Sequence, residues 1–506
     1  MKKQKTKKVY PENARSLAGF FFTPFTATFG AMAVANLGLF LTDYAGIDSA
    51  LGKPGFAAAF ATLFIIITRV IDVVDDPVQS WILDSAKENK FGKYRTFGIF
   101  GIILITLGTI MLYGIPGGVK NNVVLLWAWA IIGYLIMESG SAFGSIATPI
   151  MQKATNEPRI RSKIAAVMRM GCVFAAIPIM FYVPVISLVG SKTGNLGKAA
   201  SLVTVSFCVL FCFISFIGLA LLKEPYREKI DAKMEKIIGF AELKELVTTD
   251  IPLWVHCIAL FIGQLATGIG TGCMLHYIKW NYCADVLTGE VDLIKFAGYA
   301  SIISIVGLIP NFLCPFLLTL ALKLFKSVDG CMRGCYIIEA VAFGLITILQ
   351  FAHLLNPVLL IALLFVINIP AGISAMMMTL ITMECADYAE YKVGRNMTAL
   401  VNSIYNIANK ASSIIGGAVP GFMFAIVGYS VNELTGAYAG AMETFPRLLT
   451  GLKMLIGPAP VILALSGYFI YRLFYKITPE FRESMREELN QRHKEMEGIT
   501  ERQTEQ

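Results

Sequence analysis

Thr68-Arg69-Val70-Ile71-Asp72-Val73-Val74-Asp75-Asp76-Pro77 lies in the middle of a run apolar enough to cross a bilayer, yet it holds four charges. A charge at mid-membrane depth costs roughly 2.5 to 3.5 kcal/mol on insertion scales, so it faces a partner or an aqueous cavity and marks an ion or solute path. On a helix, residues three and four apart share a face. Arg69, Asp72 and Asp76 therefore line one stripe, with Asp75 offset from it. Pro77 has no N–H and leaves the carbonyl of Val73 without its helical partner. Two or three carboxylates beside a free carbonyl are the oxygen-rich set that a hard cation such as Na⁺ prefers, with Asp72 and Asp76 the candidate ligands. The same crowded carboxylates would also take up a proton. Na⁺ and H⁺ both stay open, as does a structural cluster in which Arg69 neutralises one Asp.

The composition fits that context. Of 506 residues, 56% are hydrophobic and 15% charged, against about 25% charged in soluble proteins. About twelve apolar segments reach the roughly 20 residues that a spanning helix needs, centred near residues 30, 68, 107, 135, 175, 211, 267, 309, 344, 372, 413 and 461. The runs are continuous and long, which argues against the ten-residue alternation of a β-barrel. The expected fold is an all-α membrane protein with twelve transmembrane helices in two six-helix pseudo-symmetric halves. If Met1 is cytoplasmic, most Lys and Arg between the runs fall on the cytoplasmic side, so both termini are expected there. Met1-Lys2-Lys3-Gln4-Lys5 resembles the start of a signal peptide, but no small-residue cleavage site follows, and the first run is expected to be retained. The net charge of +8 then belongs to loops beside anionic lipid and does not argue for nucleic acid.

Residues 223–250 divide the chain. Ile230, Met234, Ile237 and Ile238 recur at helical spacing among Lys and Glu, which predicts an amphipathic linker on the cytoplasmic membrane surface. The expected organisation is a basic tail over 1–15, a six-helix bundle over 16–222, the linker, a second bundle over 251–475, and a charged cytoplasmic tail over 476–506. That tail reads as a solvated helix that frays. Two such halves suit a transporter with its site near the bilayer midplane. The ten Cys mostly lie singly in apolar runs and read as small buried hydrophobes. His276 reads equally as a cavity residue or a packing residue.

The second half supplies a positive counterpart. Asn402, Asn406, Asn409 and Ser413 form a polar stripe in the run near residue 413, with Lys410 at its edge. A Lys at that depth needs a counter-charge, and the carboxylates near residue 72 are the expected one, although a long side chain can instead snorkel to the interface. Glu138 and Arg169 are further charges in apolar runs and are cavity candidates.

The string from Arg69 to Pro77, followed by Trp81-Ile82-Leu83-Asp84 and Lys90-Phe91-Gly92-Lys93-Tyr94-Arg95, resembles the signature of the glycoside-pentoside-hexuronide:cation symporters. These are the melibiose-permease-like branch of the major facilitator superfamily. Leu41-Thr42-Asp43-Tyr44-Ala45-Gly46, Glu384-Cys385-Ala386-Asp387-Tyr388-Ala389-Glu390-Tyr391-Lys392 and Lys410 agree, in family order. The resemblance implies a cation site at Asp72 and Asp76 with Asp75 and Ser141 adjacent, Lys410 as charge partner, and Arg169 near the sugar; Arg69 is a charge partner by its helical spacing. The acids that grip a galactoside in melibiose permease fall at Ala27 and Gly144, and its sugar-stacking tryptophans at Thr148 and Ala375. α-Galactosides are therefore expected to be poor substrates, with Glu138, Arg169, Asn402 and Asn406 contacting another solute.

The expected function is cation-coupled symport of a sugar or glycoside-like solute (a glycoside, pentoside or hexuronide) by alternating access, in the cell (inner) membrane. The alternative is a lysolipid or other amphiphile carrier on the same scaffold. No His-Glu-x-x-His motif and no nucleophile with an evident base are present, so no enzyme and no cofactor beyond the coupling cation are expected. A monomer is expected. Asp84, Lys93 and Arg95, with Asp387, Glu390, Lys392 and Arg395, are the expected cytoplasmic latches.

Overall fold

The computed structural model describes residues 13–86, 91–144, 146–154, 158–224, 250–393, 398–478, 480–485, 487–489 and 491. Among these residues helices dominate, and the β-structure consists of isolated bridges, Ala284 with Val291 and Val431 with Tyr438. The first half runs through α1 (Ala14–Phe22), α2 (Phe25–Leu39), α3 (Phe56–Ser85), α4 (Lys93–Tyr113), α5 (Val123–Gly144), α6 (Pro158–Met180), α7 (Tyr182–Thr193) and α8 (Leu196–Leu221). The second half runs through α9 (Ile251–Tyr282), α10 (Leu293–Phe325), α11 (Val328–Phe351), α12 (Pro357–Val393), α13 (Thr398–Ile426), α14 (Phe445–Ile456) and α15 (Pro458–Phe474).

All the run centres read from the sequence fall inside these helices. Among the described residues, nine helical stretches are long and apolar enough to cross a membrane. The runs near 68, 309 and 413 fall in α3, α10 and α13. Asn13, Asn195 and Ser327 start α1, α8 and α11 by accepting a hydrogen bond from the N–H three residues on, which satisfies an end group of the helix. Large apolar side chains such as Phe213 (66% exposed) and Ile348 (66%) face outward, as hydrocarbon contact requires.

The chain divides into two compact units. The first comprises Met1–Ala232, Ile278–Ser301 and Gly421–Leu449, and the second comprises Lys233–Tyr277, Ile302–Pro420 and Thr450–Gln506. The division crosses the expected boundary between 16–222 and 251–475, because the ends of α9 and α13 pack into the first unit. The linker residues 225–249 lie outside the described residues.

In the first unit, α4 and α5 meet backbone to backbone through glycine. A Cβ on Gly108 would come within 2.5 Å of Met137, and one on Gly101 would strike Gly144. Small residues at such crossings let membrane helices approach closely. In the second unit the core joins Met332, Cys335, Met377, Ile381 and Cys385. His256 is sealed within that unit, hydrogen-bonded to the hydroxyls of Tyr471 (2.7 Å) and Thr382 (2.9 Å). All ten Cys are free thiols, and eight of them are buried.

The tail departs from the expected solvated helix. Met485 is 1% exposed and Leu489 7%, and Arg482 is held by carboxylates of the second unit. An apolar stripe and one cation give this segment a dry face that its high overall charge conceals.

Candidate functional site

Helix α3 carries the charged stretch. Arg69 Nη1 lies 3.2 Å from Asp72 Oδ2, as the three-residue spacing predicts. Asp72 is 3% exposed, and its two carboxylate oxygens accept from the Tyr134 hydroxyl of α5 at 3.0 Å each. Tyr134 is itself buried and packs edge-on against Phe64 of α3 at 5.9 Å between ring centres. A buried carboxylate needs both charge balance and hydrogen bonds, and Arg69 of its own helix and the Tyr134 hydroxyl of the next contribute to each. Glu138 and Ser141, one and two turns beyond Tyr134 on α5, are half-buried and stand in further interactions. The side chains of Asp75, Asp76, Thr148 and Asp84 lie outside the described residues, as do those of Asn402 and Arg395.

The remaining predicted residues are scattered more widely. Lys410 is half-buried on α13 in the second unit and has an interaction there or elsewhere in the chain. Arg169 is exposed. Nearby on α6, Met170 (48% exposed), Phe174 (50%) and Ile177 (41%) are exposed too. Asn406 is also exposed. Gly144, at the position of a family acid, faces Ile105 and Gly101, so a Cβ there would enter a helix contact.

The expected latch residues have partners that sequence reading missed. The Arg95 N–H donates to Glu224 Oε2 at 3.0 Å, beyond the end of α8. Lys93 lies over the Tyr94 ring at 5.6 Å, and Lys392 over those of Tyr388 and Tyr391. Asp387 and Glu390 are half-buried. Glu384 carries an ion pair in that segment. It takes Arg482 of the tail at 2.7 Å through Nε and 3.0 Å through Nη2, with the Tyr475 hydroxyl at 3.3 Å.

A second buried network was not foreseen. After α2 the backbone widens into a π turn over Phe40–Tyr44, a feature often found at functional positions. The turn contains Asp43. Lys279, in the last turn of α9, donates to Asp43 Oδ2 at 2.6 Å, and both side chains are almost wholly enclosed. Asp43 Oδ1 accepts from Tyr429 (2.9 Å) and Thr42 (2.8 Å). Trp280 Nε1 then donates to the Tyr429 hydroxyl at 3.0 Å, and Lys279 lies 4.6 Å from the Trp280 ring centre. All five residues belong to the first unit. The one available signal was a Lys near the end of an apolar run and an Asp in a family landmark. Nothing local paired them.

Among the described residues, no group of three or more His, Cys, Asp or Glu is placed to hold a metal ion.

A family model described as MFS/sugar transport protein matches residues 17–479. YagG of Escherichia coli (strain K12), described as a candidate glycoside/cation symporter, is 23% identical over 451 residues, covering 87% of each chain. A glucuronide carrier protein homolog of the same organism is 21% identical over 486 residues, covering 95% of this chain and 96% of its own. Among solved structures, a bacterial homologue of the human lysosomal transporter Spinster, inward-facing and unoccupied, aligns with a TM-score of 0.58 at 13% identity. That alignment covers 93% of this chain and 100% of the other, a likeness of fold.

Proposed function

The chain belongs to the MFS/sugar transport protein family, and from that premise we propose that it is a cation-coupled symporter of a glycoside-like solute working by alternating access. The observation that carries the coupling reading is Asp72, a buried carboxylate held by Arg69 and Tyr134. In this reading Asp72 and Asp76 take the coupling cation, Na⁺ or H⁺, with Asp75 and Ser141 beside them and Lys410 as the balancing charge. The bound cation relieves repulsion among the carboxylates and raises solute affinity. By linkage the solute raises cation affinity by the same factor.

Relatives described as a candidate glycoside/cation symporter and a glucuronide carrier homolog favour a sugar-type solute over a lysolipid. Glu138, Arg169, Asn402 and Asn406 are the proposed solute contacts, and Arg169 would suit a hexuronide carboxylate because a guanidinium can hold it bidentately. The exposed setting of Arg169 is the surface that an open aqueous cavity would use. The proposed setting is the inner membrane, with both termini cytoplasmic and the chain acting as a monomer. Segments around Asp84, Lys93 and Arg95, and from Asp387 to Arg395, serve as cytoplasmic latches.

The test is uptake into proteoliposomes of a panel of glycosides, pentosides, hexuronides and lysolipids, with and without Na⁺ and proton gradients. One sugar-type solute should accumulate only with a cation gradient, and Asp72→Asn should abolish that accumulation while leaving solute binding. Uphill uptake retained in Asp72→Asn would remove Asp72 from the coupling site.

A further inference from the structure

Helices α9, α11 and α12 of the second unit line a partly open pocket of about 240 Å³. Its wall includes Gln264 of α9, Tyr336 and Glu339 of α11, and Asn368 and Ser374 of α12. Glu339 sits near the middle of an apolar spanning helix, and among the described residues no hydrogen bond or ion pair reaches its carboxylate. Lys and Arg are missing from the described lining of the cavity. A lone carboxylate at this depth is costly unless its charge is cancelled.

The neighbours indicate what would cancel it. The Tyr336 hydroxyl donates to the Ala259 carbonyl at 3.3 Å, the Ser374 hydroxyl to Ala371 at 2.9 Å, and Asn368 Nδ2 to Leu364 at 2.8 Å. These donors are committed to backbone, which leaves oxygen lone pairs of Tyr336, Ser374 and Asn368 for the cavity beside the Glu339 carboxylate. The negative charge of Glu339, with no Lys or Arg in the described lining, repels an anion. A neutral polyol could donate to it but would leave the full negative charge in place, and a divalent cation would overcompensate it. A monovalent cation both cancels the charge and uses the oxygens, as hard cations do.

We propose that this cavity is a monovalent-cation site in the second unit, separate from the carboxylates of α3, with Glu339 as the ligand that bears the charge. Sodium and the proton are the two sources of that charge.

Purified full-length protein in lipid nanodiscs separates them without any solute or gradient, so the result does not depend on the transport reading above. Equilibrium binding of ²²Na⁺ is measured at alkaline pH for wild type, Glu339→Gln, Asn368→Ala and Asp72→Asn. Infrared difference spectra between acidic and alkaline pH follow protonated carboxyl groups in the same set. If sodium is the occupant, Glu339→Gln loses one Na⁺ per chain that Asp72→Asn keeps, and Asn368→Ala binds that ion roughly tenfold more weakly, the loss of one charge-assisted contact. If the proton is the occupant, Glu339→Gln loses one protonated-carboxyl band that Asp72→Asn keeps. Sodium stoichiometry and carboxyl bands both unchanged in a monodisperse Glu339→Gln protein would overturn the assignment. Asn368→Ala keeps the sodium arm readable should Glu339→Gln fail to fold.

Discussion

Asp43 and Lys279, 236 residues apart in sequence, form an ion pair of 2.6 Å with side chains 0% and 2% exposed. A pair this dry gains little over two apolar residues, yet removing either partner leaves an uncompensated buried charge at a cost of roughly 3 to 5 kcal/mol. Its chemistry ties the π turn after α2 to the end of α9 and, through Tyr429, to the segment after α13.

Asp43→Asn and Lys279→Met should each lower the thermal midpoint of the detergent-solubilised protein substantially. The double variant should lose clearly less than the two single losses combined, since no charge is then stranded. Additive losses would mean that the pair contributes no coupling.

Tyr134→Phe removes the hydroxyl that both oxygens of Asp72 accept. A hydrogen bond to a charged group is worth about 1.5 to 3 kcal/mol, and without it the carboxylate loses the donor that reaches both of its oxygens. If Asp72 binds the coupling cation, the half-saturating cation concentration in a transport assay should rise about tenfold or more. An unchanged cation dependence would separate Tyr134 from the coupling site.

Asp250, at the mouth of α9, accepts the Leu253 N–H at 3.0 Å, and its other oxygen is buried without a hydrogen-bond partner among the described residues. Burial pushes this carboxyl up to about 7, with the Leu253 N–H pulling the other way. A folded-state value raised above the unfolded one makes stability greatest at low pH. That contribution is complete below about 4 and is lost as pH rises through about 7. The shift sets an upper bound of roughly 4 kcal/mol. Asp250→Asn keeps a helix-capping side chain but cannot ionise, so the fall in thermal midpoint from pH 4 to 7 should be smaller than in wild type. Parallel pH profiles would show that Asp250 is not the titrating group.

Arg482→Ala takes the guanidinium away from Glu384, which is 3% exposed, and also removes the longer contact to Asp329 at 3.7 Å. The expected outcome is a loss of roughly 3 kcal/mol and faster proteolysis of the tail beyond residue 478. Arg482→Lys should recover only part of it, because a point charge cannot make the forked contact to both Glu384 oxygens. A tail cleaved no faster than in wild type would mean that this ion pair does not hold it.

The sequence by itself determined what depends on local spacing and on solvent. Apolar runs located the helices, because hydrocarbon forces every backbone polar group to pair within its own segment. The three-residue step from Arg69 to Asp72 was readable for the same reason, as neighbours on one helix face are fixed by its pitch. Run position did not give the exposure of Arg169, which lies in an apolar run yet is exposed, because only packing decides which side of a helix is covered. The Asp43–Lys279 pair, the Tyr134 hydroxyl on Asp72, the Arg482–Glu384 bond and the cavity beside Glu339 all join residues from different helices. Only the tertiary structure decided them, since pairing across helices depends on which faces meet, and the glycine contact of Gly101 with Gly144 shows how one absent Cβ sets that meeting.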